Sequence, residues 1–110
     1  MALSDTAFAA LADATLNRLA DHLESSDVDG VLEVELMSGM LTITLASGRQ
    51  FVINKHGPSK QIWLSSPLSG GLHFDYDEGV QGWALADGRR LDTLLQAEME
   101  TLLAEEPTDE

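Results

Sequence analysis

From Phe8 onward the apolar positions Phe8, Leu11, Ala12, Leu16, Leu19 and Leu23 recur three and four residues apart, which is the rhythm of a helix burying one stripe. Ser4 or Asp5 is available to cap it, and the spacing predicts a first helix over about 5–25. Asp13, Asn17, Asp21 and Glu24 fall opposite the stripe, so the exposed face of this helix is the acidic one. The rhythm then changes. VLEVELM, MLTITL, QFVIN, QIWLSS, GLHFDY and GWAL are short runs of alternating character, separated by Ser38-Gly39, Ser47-Gly48, Gly57-Pro58, Gly70-Gly71 and the Asp77 to Gly79 turn. Period-2 alternation bounded by turn residues predicts about six antiparallel strands over about 31–85. Helical spacing returns through Leu91, Leu94, Leu95 and Leu102, predicting a closing helix over about 91–105, with Pro107 stopping it before an acidic tail at 106–110. Glu98 falls inside the apolar arc of that helix, and the sequence offers no reason for a carboxylate there.

Strand register follows from the turns. If Ser38-Gly39 is a two-residue hairpin loop, then Leu36 opposes Leu41, Val34 opposes Ile43 and Leu32 opposes Leu45, all on one side of the sheet. An odd-length loop at Ser47 to Arg49 sets Leu45 against Phe51 and Ile43 against Ile53; pairing Ile53 with Ile62 then sets Phe51 against Leu64. One face is therefore aliphatic. Two helices flanking such a sheet in sequence would cover that face. The expected fold is α+β, a two-layer α-β-α sandwich in a single domain over 1–110, with both helices on one face of an antiparallel sheet.

The other face reads Glu33 and Glu35, then Thr42 and Thr44, then Val52 and Asn54, then Gln61, Trp63 and Ser65. A sheet face without a covering layer should be polar, so the indole of Trp63 is either shielded by the Lys55 to Ser59 loop or free to meet a partner. Tryptophan is enriched where partners bind.

Composition narrows the chemistry. The 110 residues contain no cysteine, which removes disulfides, thiolate nucleophiles and thiolate ligands. The formal charge is −13, distributed as −7 over residues 1–35, +3 over 36–73 and −9 over 74–110. Such a field repels nucleic acid and anionic membrane and attracts cations or a basic protein surface. The chain shows neither a signal-like n-region with an apolar run nor a stretch approaching the roughly 20 apolar residues of a membrane span, which predicts a soluble cytoplasmic protein. GxGxxG, phosphate-loop and HExxH patterns are missing, and no Ser/His/Asp order can be placed in a cleft, so no enzyme is expected. His22, His56 and His73 have no metal-ligand spacing. The four methionines form no stripe or cluster that suggests a soft-metal site.

Asp21 and Glu24 are i, i+3 neighbours on the first helix, Glu33 and Glu35 share one face of the first strand, and Asp27 and Asp29 lie between them. Carboxylates are hard ligands suited to iron, calcium, magnesium or manganese. The group is either a solvated charged face or a loose cation-binding ridge, with Asp5 and Asp13 as lesser candidates.

The run N54-K55-H56-G57-P58-S59-K60-Q61-I62-W63-L64-S65-S66-P67-L68-S69-G70-G71-L72-H73-F74-D75 resembles the signature of the frataxin family and its bacterial members, the CyaY proteins. The likeness extends over the whole chain: acidic helix, acidic first strand, five further strands, closing helix. His56 stands where many members have Gln, Gly71 where eukaryotic members have Pro, and His73 where they have Arg; the last two match the bacterial branch. The resemblance implies an iron-binding regulator of iron–sulfur cluster assembly that docks on a cysteine desulfurase and its scaffold protein. It implies weak binding of Fe2+ or Fe3+ at Asp21, Glu24, Asp27, Asp29, Glu33 and Glu35, with no cluster and no organic cofactor. It implies a docking surface at Trp63 with Asn54, Gln61, Lys55, Ser65 and His73, framed by Lys60 and the Ser66 to Gly70 loop. The protein is expected to be mostly monomeric, with iron-dependent oligomers. An iron store or ferroxidase, and a metal-independent acidic interaction module, are the competing readings.

Overall fold

The first helix starts where a hydroxyl can close it. In the computed structural model, which describes residues 3–26 and 32–105, Ser4 Oγ accepts the backbone N–H of Ala7 at 3.0 Å, so Ser4 rather than Asp5 is the cap. Helix α1 then runs Asp5–Ser26, and α2 runs Leu91–Glu105. Between them lie β1 (Leu32–Met37), β2 (Met40–Leu45), β3 (Gln50–His56), a short 3-10 turn (Gly57–Ser59), β4 (Gln61–Ser66), β5 (Gly70–Asp77) and β6 (Gly82–Ala84). The strands form one antiparallel sheet in the order β1-β2-β3-β4-β5-β6. The expected α+β sandwich is the observed fold. No described helix is long and apolar enough to cross a membrane.

The β1–β2 register is the expected one: Leu32 opposes Leu45, Val34 opposes Ile43 and Leu36 opposes Leu41. Ser38 and Gly39 both take positive φ, 49° and 78°, as a two-residue hairpin turn with right-handed strand twist requires. The next two registers differ from expectation by two residues. Phe51 opposes Ile43 rather than Leu45, because the loop is Ala46 to Gly48: the Leu45 N–H donates to the Arg49 carbonyl at 2.9 Å, and Gly48 supplies the left-handed step at φ 92°. Ile53 opposes Leu64 rather than Ile62, because the turn after β3 extends to Lys60, itself left-handed at φ 55°. Each slip is an even number of residues, so every side chain keeps its expected face.

The inner face gathers Leu41, Ile43, Leu45, Phe51, Ile53, Ile62, Leu64 and Phe74, all buried against Phe8, Leu16, Leu19 and Leu23 of α1 and Leu91, Leu95, Met99 and Leu102 of α2. Burying each large aliphatic or Phe side chain contributes roughly 1.5–3 kcal/mol. Trp83 joins them from β6. Its ring meets Phe8 and Tyr76 edge-on, and its Nε1–H donates to Thr15 Oγ1 at 2.9 Å. Thr15 in turn donates to the Leu11 carbonyl, so this buried hydroxyl and indole satisfy each other and tie α1 to β6.

Glu98 also finds its reason in three dimensions. It accepts hydrogen bonds from the hydroxyls of Ser66 and Ser69, while Ser66 Oγ accepts the backbone N–H groups of Leu68 and Ser69. The carboxylate therefore sits in the apolar arc of α2 to fasten the β4–β5 turn.

Candidate functional site

Both helices lie on the inner face, and among the described residues no second layer covers the outer face of the sheet. Alternation sends Asn54 and His56 of β3, Gln61, Trp63 and Ser65 of β4, and His73 and Asp75 of β5 to this side. The cross-strand register aligns five residues in a row: Met37 opposes Met40, Met40 opposes Asn54, Asn54 opposes Trp63, and Trp63 opposes His73.

Trp63 is held on every side. His73 stacks on one face of its ring at a centroid distance of 4.2 Å and 11° between planes. His56, diagonal to it across the strands, stacks on the other at 3.7 Å and 13°. The indole Nε1–H donates to Gln61 Oε1 at 3.0 Å, and Gln61 Nε2 donates to Asp75 Oδ1 at 3.0 Å. His56 Nδ1 lies 2.6 Å from Ser59 Oγ, which fixes the outermost ring. Trp63 is thus half-buried, and the cover comes from two imidazoles more than from the loop beyond β3. What the face offers a partner is the edges of three parallel rings, flanked by Asn54 and Ser65.

The expected docking residue Lys55 and the expected framing residues Lys60 and Ser66 take other positions. Lys55 points to the helix side, where its Nζ meets Asp13 Oδ1 at 2.9 Å and Oδ2 at 3.0 Å. It belongs to the face opposite Trp63 because it alternates with Asn54. Lys60 reaches towards Asp5 on α1 at 3.7 Å, and Ser66 is buried on Glu98, so neither frames the indole. His56 is the residue that sequence reasoning missed. β3 extends two residues beyond QFVIN to include it, and its even spacing from Asn54 was the available signal.

Among the acidic candidates, Asp21 and Glu24 are exposed on α1, and Glu33 and Glu35 are exposed on the edge strand β1. Asp27 and Asp29 lie outside the described residues. Asp13 is engaged by Lys55. Among the described residues, no group of three or more His, Cys, Asp or Glu side chains is arranged to hold a metal ion. The donor set suits a hard cation, and the arrangement is one of separate, hydrated carboxylates without a common centre.

A frataxin-like domain model matches residues 1–105. The chain is 38% identical to mitochondrial frataxin from Caenorhabditis elegans over 96% of its own length and 82% of that protein's. It is 39% identical to the iron–sulfur cluster assembly protein CyaY from Pseudomonas fluorescens (strain Pf0-1), over 76% of this chain and 73% of that one. Its fold superposes on frataxin from Psychromonas ingrahamii with a TM-score of 0.81 at 27% identity, covering 94% of both chains. Trimeric frataxin from the yeast Saccharomyces cerevisiae, in complex with ferrous iron, superposes with a TM-score of 0.74 at 35% identity, over 96% of this chain and 90% of that one.

Proposed function

We propose a function from one premise: this chain belongs to the frataxin family of iron–sulfur cluster assembly proteins. It acts as an iron-responsive regulator that docks on the cysteine desulfurase and its scaffold protein and modulates sulfur transfer. The observation that carries this reading is the His56–Trp63–His73 stack on a sheet face that no helix covers. An indole held rigidly by two ring partners and a hydrogen bond loses little side-chain entropy on docking, which is the property that makes aromatic residues effective anchors. The charge of −13 supplies the second support. It steers the protein to a basic partner surface at a rate that falls with salt.

Iron is the cargo or signal in this reading and is held loosely. Asp21, Glu24, Glu33 and Glu35 offer hard oxygen donors in water, which suits exchangeable Fe2+ and disfavours a buried oxidation centre. A ferrous complex of the trimeric yeast relative favours a second reading, in which several copies gather iron between them, and it makes iron-dependent oligomers part of the same test. The decisive experiment measures sulfide production by the desulfurase and scaffold with and without near-stoichiometric protein, each with and without Fe2+. The proposal expects a change in rate that iron enlarges. Unchanged sulfide production at every salt concentration sinks it, and oxygen consumption on Fe2+ addition without any effect on the desulfurase supports the storage reading.

A further inference from the structure

Among the described residues four large apolar side chains stand exposed, Leu68 and Val80 singly and Met37 and Met40 as neighbours, the last two 60% and 45% exposed. The two methionines are register partners on the outer face, one on each side of the Ser38-Gly39 turn. The positive φ angles of both turn residues fix this hairpin tip, so the two side chains leave the backbone at directly opposed positions. Directly opposed residues have Cβ atoms about 4.5–5.5 Å apart, and diagonal ones about 7–8 Å, within reach of long side chains. His56 stands diagonal to Met40, two residues beyond its partner Asn54 on the same face. The register thus puts the two methionines, unclustered in sequence terms, on the same face as His56, with Met40 diagonal to it.

We infer that Met37, Met40 and His56 form a site for a soft monovalent cation, Cu(I), with Trp63 stacked behind the imidazole. Thioether sulfur is a soft donor that selects Cu(I) over the harder divalent ions suited to carboxylates. His56 Nδ1 lies 2.6 Å from Ser59 Oγ, which orients the ring from behind; in the tautomer whose Nδ1–H donates to that hydroxyl, Nε2 presents a lone pair to a metal. The Trp63 ring, stacked on His56 at 3.7 Å and backed by His73 at 4.2 Å, holds the imidazole plane in place. The nearest carboxylate on the strand, Glu35, lies two residues from Met37 in the neighbouring row. Three neutral donors therefore hold the ion at the hairpin, apart from the helix carboxylates Asp21 and Glu24.

This site does not depend on the docking proposal, and its test uses no partner. The intact protein is titrated anaerobically with Cu(I) against the chelator bicinchoninate, and the methionine methyl resonances are followed with redox-inert Ag(I). The expected result is one ion per chain, shifts confined to the methyls of Met37 and Met40, quenching of Trp63 fluorescence, and no such shifts with Fe2+. Met40→Leu and His56→Gln should each weaken Cu(I) binding about tenfold or more, and Ser59→Ala should weaken it less, as removal of an outer-shell partner does. Cu(I) binding that is unchanged in the Met37→Leu/Met40→Leu double variant, or Ag(I) shifts at other methionines, overturns the assignment. Leucine at these exposed positions preserves the fold, so loss of binding reports on the site.

Discussion

The two tryptophans of this chain sit on opposite faces of one sheet, and each has its N–H satisfied. Trp83 faces inward, 4% exposed, between Phe8 and Tyr76, with its hydrogen bond spent on Thr15 of the first helix. Trp63 faces outward between His56 and His73, with its hydrogen bond spent on Gln61 of its own strand. All partners of Trp83 are needed to close the core. Those of Trp63 close nothing; they orient the ring. Under the proposed function, a large side chain whose neighbours position it without burying it serves a partner outside the chain, and that difference separates folding from docking.

Replacing the two residues should pull these roles apart. Trp83→Ala opens a core cavity and removes a buried hydrogen bond, and should cost about 3–5 kcal/mol of stability in denaturant unfolding. Trp63→Ala should cost about 1–2 kcal/mol of stability from its lost ring pairs, while weakening docking to the desulfurase and scaffold by roughly 2 kcal/mol or more. Iron affinity should not change in Trp63→Ala. Equal losses of stability in the two variants would erase the distinction.

The carboxylates sharpen the comparison from the other side. Changing Asp21, Glu24, Glu33 and Glu35 together to Lys reverses an exposed charge pattern without touching either indole. It should abolish Fe2+ binding and slow association with the partner by roughly tenfold or more at low salt, an effect that shrinks as salt rises. The charge variant is read in association rate and Trp63→Ala in dissociation rate, so the two are separable by stopped-flow measurement. His56→Gln and His73→Gln should each give a smaller change in docking, about 0.5–1.5 kcal/mol, the worth of one ring pair.

The smallest effect belongs to the turn that follows β6. Asp87 accepts the backbone N–H of Arg89 at 3.0 Å and its guanidinium at 2.9 Å, and its carboxyl lies below the ordinary aspartate range chiefly because of that backbone hydrogen bond. A carboxyl with a depressed folded value adds stability above its unfolded value near 3.9 and loses it as pH falls further. Asp87→Asn should therefore lower stability slightly at pH 6, by an amount that shrinks as pH falls through the depressed folded value, in unfolding followed against pH.

Much of this was legible in the sequence, for physical reasons. The inner face could be read because alternation survives an even-numbered slip: the loops at Gly48 and Lys60 moved two registers without turning a single side chain over. The left-handed backbone at those positions, which sets the slip, is not written in the hydrophobic pattern. Trp63 and His73 could be placed outward by parity, and the same parity should have included His56 and excluded Lys55, whose odd spacing from Trp63 sends it to Asp13. Glu98 could not be read, since its partners Ser66 and Ser69 are brought to it only when the β4–β5 turn meets the last helix. The pairing of Met37 with Met40 followed from the hairpin register, but exposure at the tip depends on the absence of a covering layer.

The most direct test follows both indole N–H resonances by NMR while the desulfurase–scaffold assembly is added. The Trp83 resonance, locked to Thr15 in the core, serves as the internal reference. The account predicts that the Trp63 resonance shifts or broadens to saturation while that of Trp83 stays in place. A Trp63 resonance that is unmoved when the partner is fully bound would contradict it.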